Sequence, residues 1–151
     1  GEMYAGFVNE DGQKRAFRHF EDSDTEKDMR ARLMPRVGLT VMSSHYHGGS
    51  APQDHLLGDL KVNKIIRRSS SLKICAIANG KADIYPRFGP TCEWDTAAGH
   101  AILRAAGGDI KDLNGHSLRY GGDHPELKNP EFIAASDELF SVAEFFGTVE
   151  E

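Results

Sequence analysis

The chain is predicted to adopt an α/β fold, with a mixed, largely parallel sheet flanked by helices. From Val37 onward, short runs rich in β-branched residues alternate with helix-forming segments, the rhythm of strands joined by crossover helices. A serine cluster at Ser69 to Ser71 and the Glu-Trp-Asp-Thr run at Glu93 each lead from a strand-like run into a helix start. Asn114-Gly115 sits between two short runs, the signature of a hairpin turn and therefore of antiparallel strands within the sheet.

Taken in order, Met3 to Phe20 reads as a hairpin, with Asn9-Glu10-Asp11-Gly12 turning between Tyr4 to Val8 and Arg15 to Phe17. Glu21 to Arg36 is crowded with alternating charge and is expected to be a solvated loop or linker. Strands are expected at Val37 to Ser43, Lys64 to Arg68, Ala82 to Phe88 and Phe132 to Ala135, with shorter ones at Asp109 to Lys111 and Ser117 to Tyr120. Helices are expected at Gln53 to Leu60, Leu72 to Asn79, from Asp95 to the Gly107-Gly108 stop, and at Asp137 to Phe146.

Composition narrows the function. At 151 residues, 39% hydrophobic and 27% charged, the chain can bury one real core. Its net charge of -5, from 18 basic and 23 acidic residues, supplies no basic field for a nucleic-acid polymer or an anionic membrane surface. No apolar run has the length of a membrane span, and the opening GEMYAGF lacks the regions of a signal peptide. Cys75 and Cys92 fit neither a metal-ligand spacing nor a disulfide framework. A cytoplasmic location is expected.

Four segments can carry chemistry. In TCEWDTAAGHAILRAAGG, Thr91 to Gly108, the acid Asp95 stands at the start of an alanine-packed helix. Asp95 reads either as an N-cap or as a cation ligand beside an anion-friendly helix start. In Ser69-Ser70-Ser71-Leu72-Lys73 one serine must cap the helix, and Lys73 falls in its first turn. A cation there conflicts with the helix dipole, unless Lys73 meets an anion or snorkels to water. Arg87 lies between Pro86 and Pro90 at a strand's carboxyl end, where ligands of open α/β sheets collect; it suits a phosphate or a surface ion pair. His45, in Ser43-Ser44-His45-Tyr46-His47, could meet a base, ribose or phosphate. Its H-x-H spacing with His47, and His55 beyond, invites a zinc reading, but no Cys or carboxylate completes the set.

Together these segments resemble the carboxyl-terminal half of the inositol monophosphatase-like, magnesium-dependent, lithium-sensitive phosphatases, and among them the bacterial 3′(2′),5′-bisphosphate nucleotidases. The resemblance rests on SSH at Ser43 to His45, SSLKIC at Ser70 to Cys75, ADIYPRFGPTCEWDTAAGHA at Ala82 to Ala101, AAGGDIKDLNGHSLRY at Ala105 to Tyr120 and NPEFIAAS at Asn129 to Ser136. It implies that Asp95 is a metal ligand close to the substrate and that His45, Ser70, Lys73 and Arg87 surround the nucleotide. The implied cofactor is Mg2+. The implied reaction removes the 3′-phosphate from 3′-phosphoadenosine 5′-phosphate, or acts on its phosphosulfate, within sulfur metabolism.

The pattern also has a gap. The family's other metal ligands, and the threonine that orients its nucleophilic water, lie in an amino-terminal half carrying a D-P-x-D-G-T motif, and no D-P-x-D occurs here. Residues 1–36 are therefore expected to be a remnant of the amino-terminal domain, and 37–151 the carboxyl-terminal nucleotide- and phosphate-binding domain. The missing amino-terminal half becomes the implied partner, and no catalytic residue is assigned within this chain. Two alternatives remain: a phosphatase for inositol phosphates, and a non-catalytic nucleotide-binding fragment.

Overall fold

A computed structural model describes residues 1–44, 51–122, 125–143 and 145. The chain begins with β1 (Glu2–Val8) and β2 (Lys14–Phe20), an antiparallel hairpin. At its turn Gly12 takes φ +79°, a left-handed conformation that glycine adopts without strain, and the Asn9 side chain accepts from the Gln13 amide at 2.7 Å.

The charged stretch that follows is not a plain linker. It contains a third strand, β3 (Thr25–Asp28), paired antiparallel with β2. All four of its residues are exposed, so no apolar alternation marks it. Its acids have cross-strand partners instead: Arg15 reaches Glu26 at 2.8 Å and Asp28 at 2.9 Å.

The remaining elements are β4 (Leu39–Ser43), α1 (Ala51–Leu57), β5 (Val62–Arg67), α2 (Leu72–Ala78), β6 (Ile84–Arg87), α3 (Glu93–Ala105), β7 (Gly108–Asp112), β8 (Phe132–Ser136) and α4 (Asp137–Val142). The second sheet has the order β5-β4-β6-β8-β7. Its β5-β4-β6 side is parallel and its β6-β8-β7 side antiparallel, which makes a mixed α/β sheet. The strand expected at Ser117 to Tyr120 does not form. Lys111 and Ser117 make a single bridge, and the chain then leaves the sheet to carry Tyr120 toward α3.

Alternation along the strands builds two cores. Met42, Ile110, Phe132 and Ala134 face α2 and α3, where Ile74, Ile77 and Leu103 pack. Leu39, Val41, Ile84 and Ile133 face the other way, toward Leu57 and Leu139. The three-stranded sheet lies on α3 and adds Ala16 to the first core. Gly6 permits that approach, because a Cβ there would stand 2.8 Å from the Ile102 Cα.

Candidate active-site cleft

The parallel strands β4, β5 and β6 end on the same edge of the sheet, so the turns entering α2 and α3 meet there. Between those turns lies a cleft of about 400 Å³, lined by Ser70, Ser71, Lys73, Ile74, Tyr85, Arg87, Pro90, Thr91, Trp94, Asp95, Thr96 and Phe132. Four of the residues singled out in the sequence, Ser70, Lys73, Arg87 and Asp95, therefore share one cavity. His45 lies outside the described residues, as does His47, while His55 is exposed on α1.

Asp95 is not an N-cap. The helix begins two residues earlier than expected, with Cys92 in the capping position and extended at φ -111°. Asp95 is the third helical residue, and its Oδ2 accepts the Cys92 amide at 2.8 Å, the carboxylate half of a capping box. Local sequence misled because Glu93, Trp94 and Asp95 are all tolerated in a first turn, whereas the irregular backbone through Pro90 and Thr91 decides where that turn starts. Asp95 nonetheless remains exposed on the cleft wall.

The serine turn also resolves in an unexpected way. Ser71 precedes α2 in a helical conformation and makes no side-chain cap. Ser70 does the capping, its Oγ accepting the Leu72 amide at 3.4 Å, and it holds φ +82° to do so. A non-glycine residue there is strained, and such strain concentrates at ligand sites.

Lys73 does not snorkel to water. It is 4% exposed, its Nζ donates to the Arg68 carbonyl at 3.0 Å and sits 5.0 Å from the centre of the Tyr85 ring. Burial, reinforced by the nearby Arg87 guanidinium, pushes its pKa below the ordinary lysine value. Arg87 does not form a surface ion pair among the described residues. It donates to Ser44 Oγ and to the Pro90 carbonyl (3.3 Å), while its buried Nε has no hydrogen-bond partner there.

Arg87 separates the cleft from a second cavity of about 280 Å³ that reaches Ser43, Ser44, Pro52 and Gly89. That space opens because β6 pairs with β4 only at Val41 and Ile84, so the strands part before Pro86. This also explains a proline in an inner strand, since its missing N–H lies beyond that ladder. A larger concavity, about 550 Å³, is lined by none of the candidate residues. It lies at the far end of α3, near Lys14, Arg30, Gly107 and Glu138.

The structure adds residues that sequence reasoning missed. Trp94, the sole tryptophan, is 68% exposed on the cleft wall. Tyr85 forms part of the floor, and burial raises its pKa. Thr96 and His100 are both buried on α3, and Asn129 donates to Thr96 Oγ1 and to the Cys92 carbonyl, each at 2.9 Å. One signal was readable: Thr96 and His100 lie four residues apart, a polar pair on the same side of the helix as the apolar Leu103.

Residues 15–143 match the model of the inositol monophosphatase family. A 3′(2′),5′-bisphosphate nucleotidase CysQ of Salmonella typhimurium is 61% identical over 100 residues, covering 66% of this chain and 39% of that protein. The CysQ nucleotidase of Escherichia coli K12 is 45% identical over 82 residues, covering 53% of this chain and 32% of its own length. Among solved structures, CysQ of Bacteroides thetaiotaomicron superposes with TM-score 0.66 at 35% identity, over 80% of this chain and 50% of its own. SuhB of Mycobacterium tuberculosis, at 21% identity and TM-score 0.58 over 83% of this chain and 46% of its own, shares the fold. The chain thus spans half or less of the length of each of these four proteins. The match runs from β2 to α4 and includes every element that lines the cleft, and the chain belongs to the inositol monophosphatase family.

Proposed function

We propose that this chain forms the nucleotide-side part of a 3′(2′),5′-bisphosphate nucleotidase that hydrolyses 3′-phosphoadenosine 5′-phosphate to AMP and phosphate. One observation carries the reading. Two cations, Lys73 and Arg87, lie close together in a cleft that the Asp95 carboxylate also lines. Like charges held together are costly unless an anion joins them, and a phosphate offers the acceptors that a buried ammonium and an unsatisfied guanidinium require. The names of the nucleotidase relatives support the same substrate class.

On this reading Lys73, Arg87 and the Ser70 hydroxyl hold one phosphate, with His45 a further contact. Trp94 and Tyr85 add aromatic surface to the same cleft. Asp95 contributes one ligand to Mg2+, which would supply Lewis-acid stabilisation of the departing oxygen. The described residues do not complete a metal site: no cluster of three or more His, Cys, Asp or Glu side chains occurs among them. The remaining oxygens would come from substrate, water and acids outside this set. We read residues 1–36 as belonging to an amino-terminal domain and 37–151 as the carboxyl-terminal domain. The enzyme's place would be cytoplasmic sulfur or nucleotide recycling; no helix among the described residues is long and apolar enough to cross a membrane.

The test is phosphate release from 3′-phosphoadenosine 5′-phosphate with Mg2+, measured on this chain and on a form extended upstream, with inositol monophosphate as the competing substrate. Turnover by the extended form, faster on the nucleotide, supports the reading. Faster turnover of inositol monophosphate assigns the inositol-phosphate alternative, and silence on both substrates rejects a phosphatase role. The single described acid in the cleft favours a second reading for the isolated chain, nucleotide binding without catalysis. Quenching of Trp94 fluorescence by AMP, equal with and without Mg2+, would establish it.

A further inference from the structure

We propose that His100, held between Asp109 and Tyr120, is a positioning residue that fixes the first turn of α3 and through it the Asp95 carboxylate. This deepens the nucleotidase reading, on which the role of Asp95 as a ligand rests. His100 Nε2 lies 2.7 Å from Asp109 Oδ1, and Nδ1 lies 2.7 Å from the Tyr120 hydroxyl. That hydroxyl stands 3.4 Å from Thr96 Oγ1, which also receives the Asn129 amide at 2.9 Å. The same amide nitrogen reaches the Cys92 carbonyl at 2.9 Å, and the Cys92 N–H donates to Asp95.

Asp109 also accepts from the Ser117 hydroxyl and from the Ile110 amide at 2.8 Å. Burial alone would raise its pKa, but these hydrogen bonds together with that from His100, and the charge of Arg104, hold it below the ordinary value. An ionised Asp109 makes Nε2 the protonated nitrogen, so Nδ1 accepts the Tyr120 proton, and the 3.4 Å contact between the Tyr120 and Thr96 oxygens then takes its proton from Thr96, whose other acceptor is the Glu93 carbonyl at 3.3 Å.

Elsewhere α3 is packed by Ile102, Leu103 and Ala105, and apolar packing would anchor its middle equally well. Asp109, His100 and Thr96 are buried within this line, where an unsatisfied polar group is costly and a satisfied one specifies one geometry, while Tyr120 closes it from the more open side. The line runs from the body of the helix to the turn that carries Asp95.

Amide hydrogen exchange measured by NMR on this chain tests the role without ligand or turnover, so failure of the nucleotidase reading would leave the result intact. Tyr120→Phe and His100→Leu are expected to speed exchange at the Cys92 amide by about tenfold, while the Ala106 amide at the far end of α3 changes less than about twofold. His100→Gln, which keeps a donor and an acceptor, should restore Cys92 protection. Equal acceleration at both amides, or an unchanged Cys92, overturns the proposal. Tyr120→Phe carries the test alone if His100→Leu does not fold.

Discussion

Lys73 and Asp95 show how single side chains in the cleft divide stability from binding. Lys73 is buried with its pKa lowered, so the folded chain disfavours its charge relative to the unfolded chain. Lys73→Met should therefore leave the urea midpoint within about 1 kcal/mol of the parent, while phosphate or AMP, followed by Trp94 quenching, binds at least about tenfold more weakly. A parallel loss of stability would show that the ammonium anchors the fold instead. Asp95→Asn keeps an oxygen for the Cys92 amide, so it should cost no more than about 1 kcal/mol of stability. In the upstream-extended protein it should lower Mg2+-dependent phosphate release by about a hundredfold or more, because the metal loses a charged ligand. Wild-type turnover in that variant would remove Asp95 from the metal site. The motif around Asp95 was legible because the helix entry and the residue proposed as a ligand share a few adjacent positions. Tyr120 and Asn129 were not, because they reach Thr96 from 24 and 33 residues away.

At the scale of elements, burial made the inner strands plain. Leu39 to Ser43 and Phe132 to Ser136 are buried along their whole length, and their β-rich runs stand out from their surroundings. The strand Thr25–Asp28 is exposed and charged, so its pairing lies in its partners rather than in its own pattern. The close approach of the first strand to α3 is set by Gly6, whose role no local reading reveals. Gly6→Ala would drive a Cβ against helix backbone and should destabilise the fold by about 1–3 kcal/mol, seen as a lower urea midpoint with an unchanged slope. The junction of α3 and β7 makes a pH prediction. Asp109 has a folded-state pKa below its ordinary value. Its contribution to stability is thus fully present above the unfolded value of about 4 and is lost as pH falls through the folded value. Between pH 6 and pH 3 the parent should lose more stability than Asp109→Asn; equal losses would mean the network does not favour the ionised form.

Across the whole molecule, a half-buried ion pair links the parts. Arg32, in the segment leaving the three-stranded sheet, forks onto Asp83 at 2.7 and 2.6 Å and touches Thr40 Oγ1 at 3.2 Å. Asp83 also accepts the Thr40 amide at 2.7 Å, so a single carboxylate joins the entry to β6, the start of β4 and the incoming chain. The Arg32 guanidinium is partly open to solvent, but the Asp83 side chain is only 3% exposed. Charge pairing of this kind is invisible in a run such as EKDMRARLMPR, where Arg30, Arg32 and Arg36 look equivalent. Removing the cation leaves a buried carboxylate held, among the described residues, by the Thr40 backbone N–H, a change that typically costs 3–5 kcal/mol. Arg32→Met should accordingly destabilise the chain by about 3 kcal/mol, whereas Arg32→Met with Asp83→Asn should recover part of that loss, because no unpaired charge remains. Equilibrium urea unfolding of the parent, both single variants and the double variant decides it. If the two substitutions add with no recovery, the pair is not the link between the two sheets, and the contacts of β1 and β2 with α3 hold them together unaided.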